Sequence, residues 1–275
     1  LVEKQRDDFK LVNEALKALK VDQKDVTLAW SFHTRSEKQV TSTLLAMADH
    51  MATATLAAPT ITSDKVETSG NKNRQVVASF QVPNFVGKDG KIKLDSAGKP
   101  LVQGTRKVSF GVTIPSSVTA KRPVILYGHG FFGDWKQGTR GSWNDIAAKY
   151  GYTTVLTNMG FHDGLMGLSA AAFGGDMSKF EDIVAEVLQS LANVTALGRL
   201  VQTDLSTRFT GKGSATLLDK DRLYYHGISN GGTFGYVIAA TSPLVTRSSI
   251  IVGGGGLIHF LQRAVQWNQF HPLLK

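Results

Sequence analysis

Leu223-Tyr224-Tyr225-His226-Gly227-Ile228-Ser229-Asn230-Gly231-Gly232 is a short apolar strand that runs into Gly-x-Ser-x-Gly and then into a helix through Val237, Ile238 and Ala240. A serine on a tight strand-to-helix turn needs small neighbours, because the backbone is strained there and a side chain would strike the adjacent strand or helix. Gly227 and Gly231 meet that need. Such a turn lifts the Ser229 hydroxyl above the sheet, at the N-terminus of a helix whose dipole favours a developing negative charge. Ser229 is therefore the candidate nucleophile. The bland alternative is a glycine-rich turn bearing a surface serine, and the strand-turn-helix context argues against it.

A second motif lies about a hundred residues upstream, where Val124-Ile125-Leu126-Tyr127 runs into Gly128-His129-Gly130-Phe131-Phe132-Gly133. Acyl transfer creates a tetrahedral oxyanion, and a glycine-bearing loop that leaves a sheet strand can aim a backbone N–H at it. Phe131 is expected to supply one donor and Asn230, the residue after the nucleophile, the other. His129 is expected to shape this loop by hydrogen bonding rather than to act as a base.

Working outward, Val76–Val82 and Val108–Ile114 read as leading antiparallel strands on either side of a turn at Lys88-Asp89-Gly90-Lys91. After Pro123, apolar strands alternate with helices: 124–127, a helix near 142–150, 153–157, a helix near 180–201, 223–226, the helix after Asn230, and 249–252. That alternation implies a parallel sheet covered on both faces. Towards the start, Phe9, Val12, Leu16 and Leu19 predict an amphipathic helix with one buried stripe, and Val26, Leu28, Trp30 and Phe32 predict a strand. Ser36 and Gln39 form a capping-box pattern opening a helix that turns Val40, Leu44, Met47 and Met51 inward. Residues 1–71 are thus expected to form an N-terminal accessory segment, and residues 72–275 the core.

The composition narrows the function. The chain has 275 residues, 42% of them hydrophobic, enough for a substantial core. Its net charge of +9 is scattered, with no interleaved aromatic stripe, so nucleic acid is not an expected partner. There is no cysteine, and no spacing of histidines and carboxylates suits a metal, so no metal is expected. The longest apolar stretch, near 249–260, is interrupted by four glycines and falls short of the ~20 residues a membrane helix needs. The chain opens at Leu1, without a methionine or the pattern of a signal peptide, and whatever preceded it is expected to have been removed.

The pair His129-Gly130-Phe131-Phe132-Gly133 and Gly227-Ile228-Ser229-Asn230-Gly231 resembles the α/β-hydrolase superfamily over about residues 72–270, and the first motif resembles the Gly-His-Gly loop of bacterial lipases. Leu28-Ala29-Trp30-Ser31-Phe32-His33-Thr34-Arg35-Ser36 is similar to the N-terminal region of large secreted bacterial lipases of the virulence-factor type. The resemblance implies an α/β fold with a mostly parallel central sheet, an acyl-enzyme formed on Ser229, no cofactor, ester substrates of lipid or other apolar acyl groups, and contact with a lipid surface. It also implies an extracellular or periplasmic location. A peptidase or polyester depolymerase on the same fold, or a non-catalytic binding protein, are the alternatives.

The superfamily order is nucleophile, acid, histidine, yet no aspartate or glutamate follows Ser229, and only His259 and His271 follow among histidines. The hydrolase core is therefore expected to be truncated after about the sixth strand, with the acid and base supplied by a missing C-terminal segment, by a second chain, or by an earlier acid such as Asp134 or Asp163. His226 is expected to be a core histidine with a satisfied ring nitrogen, and His162-Asp163 either to line the pocket rim or to bind nothing. Phe131, Phe132, Trp135 and the 165–173 loop are expected to form an acyl pocket.

Overall fold

Alternating large and small residues along 74–83 and 105–114 become two long antiparallel strands at the head of a seven-stranded mixed sheet. The computed structural model describes residues 2–28, 34–68, 70–139, 141–256, 259, 262–265 and 267–274. The strands are β1 (Thr60–Val66), β2 (Arg74–Pro83), β3 (Thr105–Ile114), β4 (Arg122–Gly128), β5 (Thr153–Thr157), β6 (Leu218–Ile228) and β7 (Ser248–Ile251), in the spatial order β1-β2-β3-β5-β4-β6-β7. β1, β2, β3 and β5 pair antiparallel, whereas β5, β4, β6 and β7 are mutually parallel. Antiparallel pairing thus occupies half of the sheet expected to be mostly parallel. Crossover helices begin only after β4, and each parallel connection needs one.

The helices are α1 (Val2–Ala18), α2 (Glu37–Thr53), α3 (Gly141–Tyr150), α4 (Met166–Phe173), α5 (Lys179–Leu200), α6 (Ser206–Arg208), α7 (Asn230–Thr241) and α8 (Trp267–Phe270). A π-helical stretch, Val201–Leu205, joins α5 to α6. Successive residues of β4 serve opposite faces: Leu126 joins the main core with Leu191, Val194 and Leu197 of α5, while Tyr127 packs with Trp143 of α3 and Leu156. Every residue of β5 is buried, as a strand covered on both faces requires. None of the described helices is long and apolar enough to cross a membrane.

The chain divides into two compact units, 1–41 and 42–275. The boundary lies before the expected 71/72 because Leu44, Met47 and Met51 enter the main core and β1 pairs with β2. Ser36 and Gln39 form the predicted reciprocal box: Gln39 N–H donates to Ser36 Oγ at 3.2 Å and Ser36 N–H to Gln39 Oε1 at 2.9 Å. Val40 is exposed, contrary to expectation. In the first unit, α1 forms, but Phe9 and Leu19 of its predicted stripe are exposed, and Phe9, Val12 and Leu16 line a shallow recess with residues 23 and 26–28. Residues 26–28 do not form a strand. The rest of that predicted strand, at 29–33, lies outside the described residues, as does most of the stretch resembling virulence-factor lipases.

Candidate active site

β6 ends at Ile228, α7 begins at Asn230, and Ser229 occupies the corner with φ 57° and ψ −114°. A non-glycine residue held there is strained, of the order of 1–3 kcal/mol, and persists only where its surroundings impose it. Those surroundings are backbone in near contact. A Cβ on Gly227 would sit 2.1 Å from the Gly231 carbonyl oxygen, and one on Gly231 would sit 2.2 Å from that of Gly128. Gly128 pairs with Gly227 across β4 and β6, so three glycines let β4, β6 and α7 converge on one point. Tyr225 locks the corner, its buried hydroxyl donating to Gly231 O at 2.6 Å. Burial pushes the Tyr225 phenol far above its ordinary range, so it remains a donor.

The Ser229 side chain is exposed and makes no capping hydrogen bond to α7. Serine at a helix start ordinarily turns its oxygen onto the first-turn amides from extended backbone. The positive φ removes that option, and the hydroxyl stands clear of its helix. The backbone on either side is pinned: Ser229 N–H donates to Ile251 O at 3.1 Å, and Thr233 N–H to Ser229 O at 2.8 Å. The Asn230 N–H, first of the helix, meets no acceptor among the described residues.

The expected oxyanion loop, 128–133, is held from three sides. Gly231 N–H donates to His129 O at 2.8 Å, Phe132 N–H to Phe161 O at 2.9 Å, and Gly130 N–H to Gln137 Oε1 at 2.9 Å. Phe132 adopts φ 50°, a second non-glycine residue in the left-handed region. His129 is fully buried: its Nε2 accepts from Met159 N–H at 3.1 Å, which places the proton on Nδ1, 2.9 Å from Gly130 O. Burial lowers its pKa below the ordinary histidine range, and both ring nitrogens are engaged, consistent with a shaping role.

Asn230 contributes more than its amide. Its side chain is buried, accepts from Phe161 N–H at 3.3 Å, and donates to Met159 O at 3.3 Å and His129 O at 3.5 Å. It therefore ties the loops after β4 and β5 to the start of α7. Neither this role nor the Tyr225 clamp emerged from the sequence. The available signal was a polar tip in an otherwise apolar strand and an amide inside a glycine cluster, each of which needs partners once buried.

The remaining candidates separate. Phe131, Phe132 and Phe161 form an aromatic group, with Phe131 centred 4.4 Å from Phe132 and 5.3 Å from Phe161. Trp135 packs instead near Tyr127 and Trp143, and 166–173 is helix α4 rather than loop. His226 is buried and stacks on Trp143 at 4.2 Å, but its Nε2 has no partner among the described residues, contrary to the satisfied nitrogen expected. Asp134 Oδ1 accepts from Lys136 N–H at 2.9 Å, and Asp163 Oδ1 from Asn158 Nδ2 at 2.9 Å and Gly164 N–H at 2.8 Å, so both carboxylates serve their own loops. His162 Nδ1 lies 3.7 Å from Asp163 Oδ1. Among the described residues, no ring nitrogen or carboxylate is hydrogen-bonded to the Ser229 hydroxyl.

An antiparallel lead-in, a parallel β5-β4-β6-β7 half and a strained serine corner after β6 are the arrangement of an α/β-hydrolase. The fold is of that kind. Solved structures similar to this chain include acetyl xylan esterase 1 from Thermoanaerobacterium sp. (15% identity, 79% of this chain and 58% of that one, TM-score 0.43). They also include an S-formylglutathione hydrolase from Agrobacterium tumefaciens (18% identity, 67% and 58%, TM-score 0.40). A glucuronoyl esterase from Teredinibacter turnerae is a third (13% identity, 89% and 66%, TM-score 0.43). The chain spans between 58% and 66% of these three structures. No family model and no curated protein matches it. Strand order and the serine corner, rather than these likenesses, define the fold.

Proposed function

We propose that the chain acts through Ser229 as a serine-dependent hydrolase of carboxylic esters. The observation that carries this reading is the exposed Ser229 hydroxyl, held at φ 57° on the strand-to-helix corner and not turned back to cap its own helix. In this reading the Ser229 oxygen bonds to the acyl carbon while its proton passes to a base. The carbonyl oxygen, now negative, is received by the N–H groups of Asn230 and Phe131, and the alcohol leaves with a proton to give an acyl-enzyme that water hydrolyses. Each oxyanion donor is expected to contribute about 3 kcal/mol to the transition state. The Phe131, Phe132 and Phe161 rings favour an apolar acyl group, lipid chains included.

A second reading, a non-catalytic protein on the hydrolase scaffold, is favoured by the Asp134 and Asp163 carboxylates being bonded within their own loops. A fluorophosphonate probe separates the two. Labelling that maps to Ser229 and vanishes in Ser229→Ala supports the nucleophile, whereas folded protein that resists the probe favours the scaffold.

A further inference from the structure

On the sheet edge where β6 ends in the serine corner, the parallel strand β5 ends beside a polar recess. About 280 Å³ in volume, it lies beside the end of β5, with Arg106 and Lys107 of β3, Trp135, His162, and Glu186 and Asn193 of α5 in its wall. β5 is two strands from β6 in the sheet, a span of about 10 Å at ordinary strand spacing. The 158–163 loop is bonded towards both places: Phe161 N–H donates to Asn230 Oδ1 at 3.3 Å, and Asn158 Oδ1 accepts from Trp135 N–H at 2.8 Å.

The chemistry of the wall is selective. Arg106 holds Glu186 through two hydrogen bonds of 2.6 and 3.0 Å and Asn84 through a third of 2.8 Å, so its charge is matched. Lys107 is exposed, without an ion-pair partner among the described residues. His162 Nδ1 accepts from Gly164 N–H at 3.2 Å, and burial favours the neutral ring, which leaves Nε2–H as a donor. Asn193 is only 6% exposed; its carbonyl accepts from Gln189 at 2.8 Å, but its amide nitrogen donates to no described residue. The Asn193 amide nitrogen is therefore left to the recess that it lines, where a ligand oxygen can accept from it. An alkyl group would offer those donors no acceptor, and with the Arg106 fork already taken up by Glu186 the recess holds no guanidinium free to grip a carboxylate or phosphate. Neutral hydroxyls beside the Trp135 indole suit all of these groups.

We propose that this recess binds the polyhydroxylated alcohol of the ester, a glycerol or a sugar, while the acyl group lies against the phenylalanine rings. The inference rests on Ser229 being the nucleophile. Full-length Ser229→Ala protein is titrated with glycerol monobutyrate, methyl glucoside monobutyrate and ethyl butyrate while heteronuclear NMR follows the Trp135 indole N–H. At least one polyol ester is expected to saturate the shift at a concentration at least about fivefold below ethyl butyrate, because a site built for hydroxyls rejects analogues lacking them. The tighter of the two polyol esters identifies the alcohol. Adding Asn193→Leu is expected to abolish the preference, with the exposed Lys107→Met as the companion variant if that one does not fold. Equal saturation by all three esters, or an unmoved Trp135 signal, overturns the proposal. Fluorophosphonate labelling of the unaltered protein reports Ser229 separately: labelling without polyol preference removes the recess assignment alone, and polyol binding without labelling removes the nucleophile instead.

Discussion

At the scale of single residues, the corner depends on hydrogen atoms where other residues carry carbon. Gly231→Ala places a Cβ 2.2 Å from the Gly128 oxygen and 2.3 Å from its carbon, both backbone atoms that no rotamer change can move. The variant is expected to lose about 3 kcal/mol in urea unfolding and to react poorly with the fluorophosphonate. Gly255→Ala, where a Cβ meets nothing within 4 Å and φ is not positive, leaves both readings unchanged. Equal effects of the two substitutions would show that close approach is not what selects glycine at 231.

At the scale of elements, two side chains hold β4, β6 and α7 together. Tyr225→Phe deletes the 2.6 Å bond to Gly231 O and leaves that carbonyl only its bond within α7. The expected cost is about 1–2 kcal/mol of stability, with slower labelling of Ser229 because the corner is less firmly held. Asn230→Asp keeps an acceptor for Phe161 N–H but sets a buried carboxylate facing the Met159 and His129 carbonyls in place of a donor. That substitution is expected to cost about 3 kcal/mol or more. Chemical denaturation checks both, and an unchanged midpoint in Asn230→Asp would contradict the three-way tie between these loops.

At the scale of the whole molecule, the histidines set a pH response. His129, His162 and His226 are all held below the ordinary histidine value of 6.5, with burial the foremost cause in each. Each is neutral in the fold and takes up a proton more readily once unfolded, so its contribution is complete above about pH 6.5 and is lost as pH falls through the lower folded values. The urea midpoint is expected to drop between about pH 7.5 and about pH 5, and more gently in His129→Gln. Asp64, held low chiefly by the Arg74 fork, acts in the same direction only in the more acidic carboxylate range. A midpoint that stays level or rises towards pH 5 would refute the assignment of buried neutral rings.

The serine corner, the helix-and-strand alternation after β4 and the capping box at Ser36 were legible along the chain, because each is a local pattern whose cause lies within a few residues. So were the glycines that flank Ser229, since φ and side-chain size are local requirements. That β1 joins the sheet, that Phe9 and Leu19 stay exposed, and that the Asn230 side chain bridges the loops after β4 and β5 came from packing between distant segments. Asn193 belongs with these: it meets Thr157 and Asn158 at one recess only through the packing of α5 beside β5. Such facts depend on which distant segment lies opposite, and apolar periodicity carries no label for its partner.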